Sequence, residues 1–305
     1  MKKSIFNRHG VAVNATSMQD AMQQSKLDYH VEKRAAFYKS NEAYVEIKDK
    51  FHTVRTDTEK YLGTVGKQYE VCQNVHCFEF FDKLVLEHKD IKYETVGTID
   101  EGRVMWVQAK LPTYIKVGEN DLTNMYVTLI NSHDGSTAIH AKITPIRIIC
   151  QNTLTACINQ KKDSISIMHN GSLKEKLNKA HDILNISYKF AEELTTTFNV
   201  WAKKKISDKK ALTIFEKLVE IDNNVEVTSR KKNLLLGLEE FHLAGIGQNI
   251  ETTAGTVFGL YNAVTGFLDH EKYGKNDEKN LKRNFFGTGD QMKKQAFELC
   301  LELAK

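Results

Sequence analysis

The sequence contains only two prolines, five cysteines and no long apolar run, and each scarcity excludes a class of protein. Because proline interrupts helices, its near absence leaves the C-terminal half free to form long ones. No apolar run reaches the roughly 18 residues that a membrane span needs, and the polar N-terminus does not resemble a signal peptide. An odd number of cysteines among apolar neighbours favours reduced, buried thiols over a disulfide framework. We therefore expect a globular cytoplasmic protein without membrane contact.

The net charge is also small. The 43 Lys and Arg residues are nearly balanced by 39 Asp and Glu, which leaves +4. Charge alone therefore does not indicate a nucleic-acid-binding protein. The basic residues cluster mainly in the C-terminal half, as in Lys203-Lys204-Lys205, and such clusters fit a nucleic-acid interface and solvated helix ends equally well. An apolar content of 41% is enough for a real core.

Two common chemical signatures are missing. A nucleotide-binding P-loop needs a glycine five positions before Gly66-Lys67, where this chain has Tyr61. A zinc site at Cys72, His76 and Cys77 would lack a second close pair of ligands. We therefore assign no catalytic residue, no metal ligand and no cofactor.

Residues 124–152 carry the clearest structural pattern. Two β-branched runs flank Asp134-Gly135, and glycine accepts a positive φ, so this pair can close a tight turn. We predict a hairpin with His133 and Asp134 exposed at its tip. Adjacent His and Asp also supply metal ligands in phosphohydrolases, which is a third hypothesis for function after the two given below. Backbone geometry alone explains the turn.

The hydrophobic period predicts an α+β fold, with a mainly antiparallel sheet and a helix followed by a mainly helical C-terminal half. The predicted elements are, in order, a helix at 17–27, strands at 43–47 and 65–71, a helix from Asn74, strands at 91–99 and 103–111, a loop at 112–123 and the hairpin. We divide the chain into an N-terminal segment (1–50), an α+β sheet domain (51–165) and a helical region packed on it (166–305).

After Cys150 the period changes from two to about 3.6 residues, which is typical of helices. A long helix is predicted from a capping box at Ser172 and Glu175, with apolar residues spaced alternately by three and four. This seam consists of Leu173, Leu177, Ala180, Leu184, Ala191, Leu194, Phe198 and Trp201. It buries either inside the helical region or against a partner chain. Further helices are predicted at 208–221, 231–244, 251–270 and 290–304.

Short motifs are distributed from about residue 20 to 304. They include Arg55-Thr56-Asp57-Thr58, Gln73-Asn74, His133-Asp134-Gly135-Ser136, Thr144-Pro145-Ile146-Arg147-Ile148-Ile149-Cys150-Gln151-Asn152-Thr153-Leu154 and Tyr261-Asn262-Ala263-Val264-Thr265. Through these motifs the chain resembles a phage/plasmid-like family of unknown function from bacterial mobile elements. The family brings no established reaction. The roles of Asp57, Gln73, Asn74, His133, Asp134, Gly135, Gln151, Asn152 and Asn262 therefore stay open.

The predicted order of elements from Val65 to Cys150 is similar in architecture to the core of single-strand annealing proteins of recombination. That resemblance implies a ring-forming homo-oligomer that binds single-stranded DNA in a basic groove without nucleotide hydrolysis. We expect a phage- or plasmid-encoded DNA-binding protein of recombination or replication. Its phosphate contacts would be Arg55, Lys67, Arg103, Lys142 and Arg147, with Tyr69 or Trp106 stacking on bases. The alternative is a structural or host-interaction phage protein that buries the helical seam against a partner.

Overall fold

The computed structural model describes residues 3–13, 15, 17–87, 90–154, 164–170, 183–221, 227–272 and 277–305. Its strands are β1 (Val11–Ala12), β2 (Val31–Ser40), β3 (Ala43–Arg55), β4 (Lys60–Gly66), β5 (Lys92–Ile99), β6 (Val104–Val117), β7 (Asp121–Ser132), β8 (Ile139–Arg147) and β9 (Ser164–Ile167). Its helices are α1 (Ile5–His9), α2 (Met18–Ser25), α3 (Asn74–Glu87), α4 (Ile183–Lys203), α5 (Asp208–Val219), α6 (Ser229–Ala244), α7 (Val257–His270), α8 (Asp277–Phe286) and α9 (Thr288–Ala304). The predicted α+β class is confirmed.

The strands form two antiparallel sheets. The larger sheet has the order β1-β5-β6-β7-β8-β9, so its central strands follow the chain as a meander. The smaller sheet has the order β2-β3-β4. The predicted hairpin is confirmed as β7 and β8, whose register pairs Ile130 with His140 and Thr123 with Arg147.

Helices cover both faces of the larger sheet, because successive strand residues point to opposite sides. On one face, Met105 and Val107 of β6 join the main core, which includes α3, α4, α7 and α9. On the other face, Trp106 packs against Phe6 of α1, with ring centroids 5.0 Å apart, and Phe285 of α8 closes this second core. A sheet buried on both faces can position loops rigidly at its ends.

The second half of the helical seam is buried inside the chain. Ala191, Leu194, Phe198 and Trp201 of α4 are buried in the main core. The ring of Phe198 lies 5.1 Å from that of Phe258 in α7. This part of the seam therefore offers no surface to a partner chain, whereas the capping box at Ser172 and the first three seam positions lie outside the described residues.

Some predicted boundaries were wrong for identifiable reasons. The predicted loop at 112–123 is mostly strand, because β6 continues to Val117 and β7 begins at Asp121. Pro112 is accommodated where the pairing of β6 with β7 shifts register between Lys110 and Tyr114, a place that tolerates a residue without a backbone N–H. The strand at 43–47 is the start of the longer β3, and the boundary at 50/51 falls within that strand.

Two further findings concern the cysteines and the lack of long apolar runs in the sequence. Cys72, Cys77, Cys150 and Cys300 are buried and free, whereas Cys157 lies outside the described residues. No helix in the described ranges is both long and apolar enough to cross a membrane.

Candidate nucleic-acid interface

The far ends of β2 and β3 project from the molecule as an arm, which we define as residues 37–50. Every residue of the arm is exposed, and none belongs to either core. Tyr38 is 51% exposed and Tyr44 is 74% exposed. The arm also exposes Phe37, Val45 and Ile47, together with Lys39, Lys48 and Lys50. Since a globular protein normally hides such side chains, this concentration of apolar surface indicates a binding role.

One face of the arm combines aromatic and basic side chains, namely Phe37, Lys39 and Tyr44. Lys39 pairs with Tyr44 across the two strands, which places the cation and the ring side by side on one face. The arm also carries Glu42, Glu46 and Asp49, so its formal charge is balanced. A ligand would therefore gain more from contact with the rings than from net charge.

At the base of the arm, a small polar and aromatic cluster covers the outer face of the smaller sheet. The rings of His52 and Tyr61 meet edge to face, 5.2 Å apart. Arg103 lies over the Tyr61 ring, 5.9 Å from its centroid. Lys67 follows β4 directly, and its side chain is 77% exposed. Of the five predicted phosphate contacts, Lys67 is the most accessible, and Arg103 is half-buried.

Arg55 is held by contacts within the protein. Its guanidinium donates to both carboxylate oxygens of Asp57, at 3.0 and 2.7 Å, and to the carbonyl of Glu101 at 3.0 Å. It also lies 3.7 Å above the Tyr29 ring. The hydrogen bonds from Arg55 lower the pKa of the Asp57 carboxyl group. The motif at 55–58 therefore fastens the smaller sheet to the turn at Gly102.

Gln73 and Asn74 fasten the start of β2. The Gln73 side chain accepts from the Val31 N–H at 3.0 Å and donates to its carbonyl at 2.8 Å, as a neighbouring strand would. Asn74 donates to the Leu27 carbonyl at 3.0 Å. Its amide oxygen lies 2.9 Å from Nε2 of His133. The amide oxygen is an acceptor, so we assign the proton to Nε2.

The prediction that His133 lies exposed at a hairpin tip was wrong. The ring is completely buried, and this burial lowers its pKa to about 3, so it is neutral. The connection from β7 to β8 spans residues 133–138, and it folds under β4 instead of projecting into solvent. Any side chain at Gly63 would place its Cβ 2.6 Å from the Asp134 Cα, so only glycine permits this close approach.

Asp134 and Gly135 shape this loop as the sequence suggested, but the turn is longer than two residues. Asp134 accepts a hydrogen bond from the Ser136 N–H at 2.9 Å, and Gly135 has a φ of +75°. Among the described residues, no group of three or more His, Cys, Asp or Glu side chains could hold a metal ion. The geometry therefore gives no support to the phosphohydrolase hypothesis.

Arg147 lies in the core. It is completely buried and donates to both carboxylate oxygens of Asp121, at 2.8 and 2.6 Å. Its remaining nitrogen lies 3.3 Å from the Gly247 carbonyl and 3.4 Å from Oδ1 of Asn262. Arg147 cannot reach a DNA phosphate without leaving Asp121 buried and unpaired. The expectation that it contacts phosphate does not fit this position.

The rest of the motif at 144–154 extends the buried hydrogen-bond network around Arg147 toward α7. Asn152 donates to the Asn262 side chain at 3.3 Å. The Thr153 N–H and hydroxyl both donate to Asp269, at 2.6 and 2.7 Å, and Lys293 donates to the other Asp269 oxygen at 2.6 Å. These contacts bind the turn after β8 to α7 and α9. Their role is to join the sheet to the helical half.

Three more predicted residues have structural partners. Lys142 lies on the second face of the larger sheet and donates to Asp290 of α9 at 2.8 Å. Gln151 occupies a left-handed conformation, with a φ of +56°, and donates to the Ile148 carbonyl at 2.8 Å. Trp106 is fully buried, so it cannot stack on a base. The sequence therefore identified residues that hold the fold more often than residues that face a ligand.

Of the arm, only the strand at 43–47 was predicted, because both faces of the arm are exposed. Neither the outer half of β2 nor the first half of β3 shows the alternation of buried and exposed residues on which strand prediction depends. The sequence feature that could have identified the arm is its density of aromatic residues, at Phe37-Tyr38 and Tyr44 around the turn at 41–42.

Comparison with known proteins assigns most of the chain to a family. No curated protein and no solved structure matches the chain. The family described as "Domain of unknown function (DUF932)" matches residues 61–285. The match contains the loop at 133–138 and the buried network around Arg147, and the arm precedes it. Since the match covers most of the sequence, the chain belongs to the DUF932 family.

Proposed function

We propose that the protein binds single-stranded DNA along the arm, as a phage- or plasmid-encoded protein of recombination or replication. In its most specific form, the proposed activity is annealing of complementary strands without ATP. The observation that carries the proposal is the exposure of Tyr44 beside Lys39 on one face of the projecting hairpin, with Tyr38 exposed on the opposite face. Each exposed ring offers a face on which a base can stack.

Stacking suits a ligand whose bases are unpaired. Base–aromatic stacking contributes roughly 1–3 kcal/mol per base and tolerates any sequence, because every base has a π face. Duplex DNA keeps its bases inside, so the arm should prefer single strands. This preference does not require a strongly basic surface, which agrees with the balanced charge of the arm.

The phosphate contacts of the proposal differ from those predicted. We assign them to Lys39, Lys48 and Lys50 on the arm and to Lys67 at its base, and we place Arg103 near the Tyr61 ring as a further contact. Four neutralised phosphates should give a slope of about −3 in the logarithm of the binding constant against that of salt concentration, at about 0.7 per phosphate.

The test uses fluorescence anisotropy of a labelled oligothymidylate. Replacement of Tyr38 and Tyr44 by Ala should weaken binding about 5- to 150-fold per lost stack. Tyr114→Ala is the matched control, because Tyr114 is a 57% exposed strand tyrosine on the other sheet. Binding that is undetectable at low salt, or equally strong in the arm variant, would contradict the proposal. Annealing is measured separately with two complementary oligonucleotides.

A second candidate function is contact with another protein, which includes another copy of this chain. Val45 and Ile47 favour it, since aliphatic side chains have no ring face on which a base can stack. Light scattering of the wild type and of an Ile47→Ser variant separates the two functions. A loss of oligomers with unchanged DNA affinity would assign these apolar residues to protein contact.

A further inference from the structure

A cavity of about 660 Å³ lies in the helical half of the chain. It forms where the end of α5, the start of α6, the residue Lys272 after α7 and the start of α9 meet. Sites for small molecules usually have roughly 300–1,000 Å³, so this cavity is large enough for a whole organic molecule.

Three cations line the cavity, namely Arg230, Lys231 and Lys272. Arg230 is exposed and the two lysines are half-buried, so a ligand in the cavity can reach all three. The Lys231 ammonium group donates to the Glu220 carbonyl, which occupies one of its three N–H groups. Glu220 is the one acidic residue of the described lining, so three cations and one carboxylate leave a formal charge of +2. A ligand with two negative charges would balance it.

Two of these cations lie at the unfavourable end of a helix. Arg230 and Lys231 belong to the first turn of α6, which contains no acidic residue. The helix dipole places partial positive charge at this end, where anions are stabilising and cations are not. The arrangement therefore opposes the stability of the free protein, and a bound anion would reverse its effect.

Lys272 adds to this accumulation of positive charge. Burial, followed by the charges of Arg230 and Arg283, lowers the pKa of its ammonium group to about 8. A neighbouring like charge disfavours the charged form of a lysine, whereas an anion beside it favours that form. The cations of the cavity are therefore arranged to gain from a negatively charged ligand.

The rest of the lining indicates that the ligand is more than an inorganic ion. Leu218 and Val219 of α5 belong to the main core, and Leu234 and Met292 are half-buried against it. An inorganic ion would leave this apolar surface in contact with water. Gln291 of α9 adds an amide that can bond the polar edge of a ring. The ligand should therefore carry an apolar or planar group beside its anionic one.

A phosphate monoester meets these requirements. It carries about −1.5 to −2 charges at pH 7 and three strong acceptor oxygens, whereas a carboxylate carries a single charge. We infer that the cavity binds an organic phosphate monoester of about the size of a nucleoside monophosphate. Its phosphate would lie at Arg230, Lys231 and Lys272, and its organic group against Leu234 and Met292. The inference does not depend on strand binding by the arm.

The test uses adenosine 5′-monophosphate, whose adenine proton signals broaden when the nucleotide binds the protein. We expect affinity to fall about 10-fold or more in Arg230→Gln and in Lys272→Gln, because each loses a charged hydrogen-bond donor to phosphate. Lys232→Gln is the matched control, since Lys232 is exposed, follows Lys231 in the same helix and lies outside the cavity lining. Thermal melting verifies that each variant is folded.

Two simpler compounds test the two parts of the ligand. Adenosine has no phosphate and should not bind. Inorganic phosphate has no organic group and should displace the nucleotide only at a much higher concentration. The inference is overturned by narrow nucleotide signals at millimolar protein, by equal broadening with adenosine, or by equal affinity in Arg230→Gln and Lys232→Gln. Displacement by an equal concentration of inorganic phosphate would also overturn it.

The ester can be a free nucleotide or the 5′-phosphate end of a DNA strand. Oligothymidylate has no adenine signal, so it can be added with a 5′-phosphate or a 5′-hydroxyl group while the nucleotide is observed. Displacement by the phosphorylated strand alone supports the site with a strand end as its ligand, and displacement by neither supports it with a free ester. Equal displacement by both strands would overturn the requirement for a terminal phosphate. The variant with Tyr38 and Tyr44 replaced by Ala should bind the nucleotide normally, which separates this site from the arm.

Discussion

At the scale of single residues, burial decides what Arg147 does. Arg147→Ala removes the only cation that donates to both oxygens of the buried Asp121 carboxylate within the described chain. Breaking such a pair costs about 3–5 kcal/mol of the free energy of unfolding, because the remaining charge is uncompensated. Urea denaturation measures this loss. Arg34→Ala is the control, since its pairs with Glu32 and Glu59 are exposed and should contribute little.

A double replacement tests the reason for this loss. Arg147→Met combined with Asp121→Leu removes both charges, so it should recover much of the stability that Arg147→Ala loses. If the single variant unfolds at the same urea concentration as the wild type, the pair is not the anchor that its geometry indicates.

His133 predicts a sensitivity to acid. Its pKa is about 3 in the folded chain and ordinarily 6.5, so the unfolded chain binds more protons between these values. Stability should therefore be complete above pH 6.5 and fall as the pH decreases toward 3. The loss from pH 7 to pH 4 is about 3 kcal/mol for this one group.

The variant His133→Gln should flatten that pH dependence when urea unfolding is repeated at both pH values. His140→Gln is the control, because burial also lowers the pKa of the His140 ring, but that ring is only half-buried and keeps contact with water. Equal flattening by both substitutions would show that the acid response does not arise at His133.

The sequence identified His133, Asp134, Arg147 and Asn152 as notable residues, but it could not give their burial. An Asp-Gly pair predicts a turn, and whether the turn faces solvent depends on β4, which crosses it from a separate sheet. In the same way, Asp121, the ion-pair partner of Arg147, is 26 residues away along the chain. Such contacts are set by packing and not by local pattern.

At the scale of elements, the approach of β4 to the loop at 133–138 depends on Gly63. A Cβ at this position would meet the backbone of Asp134 at 2.6 to 2.9 Å, which neither element can relieve by rotating a side chain. Gly63→Ala should therefore destabilise the protein by about 1–3 kcal/mol, as overpacking does. Thermal melting measures the loss.

Gly66→Ala is the matched control in the same strand, because its added methyl group would meet nothing within 4 Å. It should leave the melting temperature unchanged or raise it slightly, since alanine reduces the freedom of the unfolded chain. Similar losses at both positions would show that glycine matters here for strand conformation and not for the close approach.

Prediction succeeded for helices with one buried face. The N-cap hydroxyl groups of Ser17 and Ser207 begin helices α2 and α5, and the hydrophobic period locates their bodies. The helix predicted at 251–270 begins only at Val257, after the N-cap residue Thr256, and Val257–Asp269 are buried on every side.

Prediction failed for β9, whose alternating Ser-Ile pattern is only four residues long, for α8, whose buried face includes the polar Asn280 and Asn284, and for β2, whose outer half is exposed on both faces. Hydrophobic periodicity needs a buried face that is apolar and several residues long, and each of these segments lacks one of these properties.

At the scale of the whole molecule, the arm is separable from the two cores. Replacement of residues 37–49 by Asn-Gly would join Ala36 to Lys50, which face each other in the register that pairs Ala35 with Phe51, through the type of turn that closes hairpins. No arm residue belongs to a core, so the melting temperature should change by only a few degrees while oligonucleotide binding is lost. Calorimetry and anisotropy measure the two effects. A collapse of the fold would show that the arm stabilises the body.

The edge position of β2 in its sheet has a consequence for solubility. A long apolar strand with a free edge can template strands of other molecules and so promote aggregation. The pairing of β2 with β3 shifts register between Ala35 and Phe37, and Lys39 places a charge near the outer end. An interrupted edge that carries a charge is a poor template. The arm can therefore keep its apolar side chains in water at high protein concentration without seeding fibrils.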